Sequence, residues 1–216
     1  AMPPLQIVLV PVAFQLNGQG AIYRPTLDAT TNYGLGFIKE AYPVANVSYT
    51  IHPEYRFTGN LYTLAGWNNL LAQIRQLRNQ EVADPNAAFP KYYGVIRVGT
   101  ACCYPGALSP NAPVGGIGYS PGGAAIGMEA TSMVIDYDGD GQPDSGFPNP
   151  FVTVQAHMAT HEIGHNWGLG HAPCGATPEA GFPAADGSIG NVGLYLPQLR
   201  LLRSEEHTSE LQSPNC

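Results

Sequence analysis

The chain reads as an α/β domain on a twisted, mainly parallel sheet. Three observations predict it. Apolar or β-branched runs at 5–14, 44–52 and 92–98 suit buried strands. Segments of helical character at 26–42 and 64–82 separate them, and strand–helix–strand–helix–strand order calls for right-handed crossovers and parallel pairing. Finally, 216 residues at 44% hydrophobic content supply one sizeable core.

Residues 5–14, LQIVLVPVAF, hold the longest apolar run, eight residues from Ile7 to Phe14 interrupted by Pro11. That length makes a buried strand and is too short to span a membrane. The 26–42 segment carries Leu27, Leu35, Phe37, Ile38 and Ala41 on a helical pattern, weakened by Gly34 and Gly36. Residues 44–52 alternate and are β-branched, so a second strand is expected. In 64–82, Leu64, Trp67, Leu70, Leu71, Ile74 and Leu77 recur at helical spacing and predict an amphipathic helix. A third strand follows at 92–98. The glycine-rich stretch 115–127, GGIGYSPGGAAIG, accommodates two short strands around Ser120 to Gly123, or a plain loop. It is not a phosphate-binding loop, because no Gly-Lys-Ser/Thr follows. The last helix is expected at 151–168, with Val152, Ala156, Ala159 and Ile163 as its apolar contacts. No internal repeat is evident.

That helix carries the chemistry. Residues 161–171 read HEIGHNWGLGH, which fits HExxHxxGxxH at every fixed position. His161 and His165 lie four apart, on one helix face, so both imidazoles can reach one zinc. Glu162 projects beside the metal, placed to take a proton from zinc-bound water and pass it to a leaving amine. A continuing helix would carry His171 away. Gly168 offers an exit, because glycine accepts positive φ without steric cost. Three protein ligands leave a fourth position open, the catalytic rather than the structural pattern. His157, four before His161, is expected to be a packed or supporting histidine, and His52 a structural one. Trp167 is expected to be core or cleft wall.

The motif resembles that of the metzincin zinc endopeptidases. The following HAPCG at 171–175 and DGSIG at 186–190 look like one bacterial branch of secreted proteases, some acting on mucin-type glycoproteins. The resemblance runs over about residues 5–202. It implies a metzincin-like catalytic domain whose sheet has an antiparallel edge strand and packs on two or three helices. It also implies zinc on His161, His165 and His171, Glu162 as the base, and a polypeptide or glycoprotein substrate. In that family the edge strand pairs with extended substrate; residues 117–119 or 124–126 are the candidates. The alternative is a zinc-containing domain, or truncated fragment, that binds glycoprotein without cutting it.

One family feature is missing. A methionine turn should follow the third histidine, yet the methionines are Met2, Met128, Met133 and Met158. The stretch RSEEHTSELQS at 203–213 resembles a translated sequencing adapter, which would end the native reading near Leu202 and leave 203–216 a non-native tail; a polar terminus reads similarly. The domain is therefore expected over 1–202, cut before the methionine turn. Cys174 follows the third ligand, and a cysteine near that turn is the partner the resemblance implies. Pairing with Cys102 or Cys103 stays open, whereas those two neighbours, with Cα atoms about 3.8 Å apart, would make a strained bridge.

The segment 136–144, DYDGDGQPD, sets Asp136, Asp138 and Asp140 at positions one, three and five of a calcium loop, with glycine at six. Position twelve is Phe147 rather than glutamate, so an EF-hand is not expected. A looser calcium site including Asp144 stands against a solvated acidic turn. The net charge of −7, with no basic cluster, argues against nucleic acid. Only 12% of residues are charged, and Gly and Pro number 26 and 20, which suits an extracellular protein. No secretory signal is visible at the start, and a monomer is expected.

Overall fold

Pro11 explains how the sheet is laid out. In the computed structural model, which describes residues 4–18, 20–28, 30–42, 44–61, 63–97, 115–129, 150–168, 193–195 and 200–202, the first strand β1 (Leu5–Leu16) is central. Its first half pairs in parallel with β2 (Val47–Ile51), from Leu5 opposite Val47 to Leu9 opposite Ile51. Its second half pairs in parallel with β3 (Tyr55–Gly59), from Val12 opposite Tyr55 to Leu16 opposite Gly59. A proline inside a central strand would cost a ladder hydrogen bond. The Leu5 N–H and the Leu9 carbonyl both point towards β2, bonding Asn46 O and the His52 N–H at 2.8 Å each. By alternation Pro11 faces that side too, where β2 has ended and β3 has not begun. The absent N–H thus falls in a break of the ladder.

On its other side β1 pairs in parallel with β4 (Lys91–Arg97), which pairs in parallel with β6 (Ala124–Glu129). The edge strand β5 (Gly116–Gly118) runs antiparallel to β6, with Gly116 opposite Gly127 and Gly118 opposite Ala125. The order is β2-β1-β4-β6-β5, with β3 beside β1. The fold is thus α/β with a mostly parallel mixed sheet. Of the two segments expected as edge-strand candidates, 117–118 fall in the edge strand β5, with Tyr119 just beyond it, and 124–126 fall in the interior strand β6. β4 is buried from Lys91 to Ile96, as a parallel strand covered on both faces must be.

One face of the sheet is covered by α2 (Leu64–Glu81). The Thr63 hydroxyl caps it, accepting the Gly66 N–H at 3.1 Å. Trp67, Leu70, Leu71 and Ile74 are buried in one core with Val10, Val12, Phe14, Ile96 and Ile126. Each large side chain so buried contributes roughly 1.5–3 kcal/mol. The Trp67 indole N–H donates to Leu61 O at 2.7 Å, so its burial leaves no donor unmet. The opposite face carries α1 (Leu35–Ala41) and α3 (Pro150–His165). Leu35, Ile38, Ala159 and Ile163 pack there with Ile7, Leu9, Tyr93, Val95 and Ala125. A proline at the first helical position suits the start of α3, where its missing N–H has no helical partner anyway.

Three expectations change. The helix expected over 26–42 is shorter: a π-helical turn, Thr30–Gly34, runs into α1. Leu27 has a left-handed φ of 70°, and both the N–H and the hydroxyl of Thr31 turn back to Leu27 O at 2.9 Å. Polar Thr30, Thr31 and Asn32 thus make a local turn before the apolar stripe begins. β3 lies in a segment where no strand was expected. So does the antiparallel pair of β7 (Gly193–Tyr195) and β8 (Arg200–Leu202). Among the described residues no helix is long and apolar enough to cross a membrane.

Candidate metal centre

The last turns of α3 bring His161 and His165 together and carry Glu162 between them in sequence. One turn of helix separates the two histidines, so their rings meet edge to face along it. The ring centroids lie 4.7 Å apart with planes at 88°, and the two Nε2 atoms face each other at 3.1 Å. The helix then ends. N–H groups of Asn166, Trp167 and Gly168 bond three residues back, to Ile163 O, Gly164 O and His165 O at 2.8–3.0 Å. This is the tightened last turn of a terminating helix. Gly168 has a φ of 80°, and there the chain leaves the helical path, three residues before His171.

The preceding turn is braced from α1. Tyr42, at the end of that helix, donates its hydroxyl to Thr160 O at 2.7 Å, one residue before His161. Its ring also packs on Trp167 with centroids 4.5 Å apart. Trp167 is therefore partly buried and packs against the core, the first of its two expected roles.

β5 lies directly against this helix face, and its glycines make the approach feasible. A Cβ at Gly116 would stand 2.6 Å from Glu162 Cγ and 2.7 Å from its Oε1. A Cβ at Gly118 would collide with the Glu162 carbonyl oxygen and lie 3.3 Å from His165 Cβ. Across the strand pair, a Cβ at Gly127 would collide with the Tyr93 hydroxyl. Gly116 and Gly118 thus let α3 pack closer to the sheet edge than any side chain allows.

Glu162 is only 4% exposed, and its Oε2 is buried without a hydrogen-bond partner. Burial pushes its carboxyl up to about 8. Burial, and then the charges of Glu162 and Glu129, hold the Tyr93 phenol well above its ordinary value. A cation between the histidines would oppose the first effect, since nearby positive charge favours the carboxylate.

The donors fit a zinc ion. Two nitrogens held at about 2.0–2.1 Å by one tetrahedral zinc stand about 3.3 Å apart, close to the 3.1 Å observed. On the same helix turn, the buried Glu162 Oε2 has no hydrogen-bond partner and is a group that a cation or its water would satisfy. Among the described residues no three histidine, cysteine, aspartate or glutamate side chains gather around one point. The expected third ligand, His171, lies outside the described residues. So do the calcium candidates Asp136, Asp138, Asp140 and Asp144, and Cys102, Cys103 and Cys174.

No family model, curated protein or solved structure matches this chain. The reading of the site therefore rests on its own geometry.

Sequence reasoning passed over Lys91, Tyr93 and Asn166. Lys91 carries a signal, as a lysine opening the otherwise uncharged run KYYGVI at 91–96 in a strand covered on both faces. Asn166 sits in a variable position of the motif, and Tyr93 reads as ordinary core. Neither has a local signal.

Proposed function

We propose that the chain is the catalytic domain of a metzincin-type zinc endopeptidase that hydrolyses peptide bonds of extracellular proteins or glycoproteins. The observation that carries this reading is the convergence of His161 Nε2 and His165 Nε2 at 3.1 Å, on the helix turn that also carries the buried, unpartnered Glu162 carboxyl oxygen. His161 and His165, with His171 as the third donor, would hold the metal. When bound, zinc polarises a peptide carbonyl and lowers the pKa of its water to about 7.

The remaining work belongs to the chain. Glu162 accepts the proton of the attacking water and returns it to the leaving amine, the role its place beside the histidines suits. Packing against Gly116 restricts where that carboxyl can lie. β5, packed on Glu162, keeps bulk water from its side chain. A mainly parallel sheet whose antiparallel edge strand abuts the histidine helix supports the metzincin reading.

A peptide-library digest tests it. Cleavage that a chelator stops and added zinc restores is the expected result. One tightly held zinc with no turnover would instead make the protein a binding module.

A further inference from the structure

The hairpin β5–β6 needs an anchor. β5 contributes only three residue pairs, all to β6. Yet its glycines fit against Glu162 and His165 closely enough that no side chain could intervene. β6 is fixed in the sheet by its six-residue ladder to β4, so the position of β5 depends on that short pairing and on what holds the turn.

Asn166 is placed to hold that turn. It follows His165 directly and is 3% exposed. Its Nδ2 donates to Tyr119 O and to Ala124 O, both at 3.0 Å. Those are the two residues whose own Tyr119 N–H to Ala124 O bond, at 3.2 Å, closes the hairpin. The Asn166 amide thus spans the neck of the turn and uses both its N–H groups. Its backbone carbonyl is engaged as well, accepting the Gly122 N–H at 3.2 Å and Lys91 Nζ at 3.2 Å. Lys91 reaches in from the start of β4, 3% exposed, and also donates to Gly122 O at 2.6 Å. A residue at the end of the histidine helix and a lysine beneath it therefore grip both ends and the tip of one hairpin.

We infer that Asn166, backed by Lys91, is a positioning residue that locks the β5–β6 hairpin onto the His161–Glu162–His165 face of α3. Its consequence for turnover rests on the peptidase reading; the clasp itself does not. Asparagine is specific here, because two carbonyl acceptors require two donors on one short planar group. Aspartate has nearly the same shape but turns an acceptor towards both carbonyls.

Asn166→Asp and Asn166→Ala, in the intact protein, test this with two readouts. Hydrogen exchange is the first. The Tyr119 and Gly122 amides should exchange about ten- to hundredfold faster in both variants, with β1 and α2 amides unchanged. Unchanged exchange at Tyr119 and Gly122, or uniform loss across the sheet, overturns the clasp. Peptide kinetics are the second, run on preparations with equal zinc content. KM for long peptides should rise at least tenfold, with a smaller change for short ones, because a displaced edge strand chiefly affects extended contacts. KM and kcat both at wild-type values in an active protein overturn the positioning role. A wild-type protein that cleaves nothing refutes the peptidase reading instead, and leaves the exchange result to decide the clasp. Lys91→Met should reproduce the Gly122 effect more weakly; no effect there removes Lys91 from the inference.

Discussion

Replacing Gly116 with alanine asks whether the edge strand is fitted to the glutamate. The new Cβ would lie 2.6 Å from Glu162 Cγ, 2.7 Å from Oε1 and 2.8 Å from Cδ. Non-bonded carbons settle at about 3.5–4.0 Å, so about 1 Å of separation must be found. Glu162 is buried and cannot swing into solvent. Either β5 lifts or the carboxyl is displaced from the histidines. Overpacking of this kind costs about 1–3 kcal/mol, a fall in Tm of roughly 3–10 °C for a chain of this size. A reacting group moved by about 1 Å loses on the order of 10²-fold in rate. The assay is kcat/KM on a cleavable peptide, with zinc content and Tm measured on the same sample. The expected outcome is undiminished zinc, a lowered Tm and about a hundredfold lower kcat/KM. Wild-type Tm and kcat/KM in Gly116→Ala would show that the strand does not press on Glu162, and the packing argument would be wrong.

Two further outcomes follow from buried cations. Arg78, 3% exposed, donates to Pro85 O, Ala87 O and Pro90 O at 2.6–2.9 Å and so ties the α2–β4 connection to the helix. Arg78→Ala should cost about 3 kcal/mol in chemical denaturation. Arg78→Lys should recover little of it, because an ammonium lacks the fork; a loss below about 1 kcal/mol for the alanine variant contradicts this role. The Lys91 ammonium is pushed down to about 8, by burial first and then by the Arg78 charge. The folded chain therefore releases this proton before the unfolded chain does, and Lys91 contributes stability that grows as pH rises from about 8 towards 10.5. Comparing wild type with Lys91→Met at pH 7.5 and 9.5 should isolate a gain on the order of 2 kcal/mol. An identical pH dependence in the two proteins rules out Lys91 as its source.

The elements legible in the sequence are those whose own residues make the packing surface. β1, α2 and β4 announce themselves by a continuous apolar run or a stripe at helical spacing, and both survive whatever the neighbours do. β3 does not, because Tyr55–Gly59 alternates polar and apolar over only five residues beside Pro53 and exists by pairing with β1 beyond the Pro11 break. The helix of 26–42 is shorter than its apolar positions suggest, because its first half is turned by Leu27 and Thr31. At the site, HExxHxxGxxH places His161, Glu162 and His165 by helical geometry alone. What stays invisible is the other side of the cleft. That Gly116 and Gly118 are glycines for the sake of Glu162 and His165 depends on a contact between segments some 45 residues apart in sequence. The grip of Asn166 on Tyr119 and Ala124 is of the same kind, with separations of 47 and 42 residues.

The central claim, that Glu162 acts as base beside a zinc held by His161, His165 and His171, is tested most directly by Glu162→Gln. Zinc content and peptide hydrolysis should be measured together on that variant and the wild type. One zinc per chain is expected in both proteins, with hydrolysis lowered by about 10²–10⁴-fold in the variant. Hydrolysis at the wild-type rate in Glu162→Gln, or a wild-type protein that cleaves without retaining zinc, would contradict it.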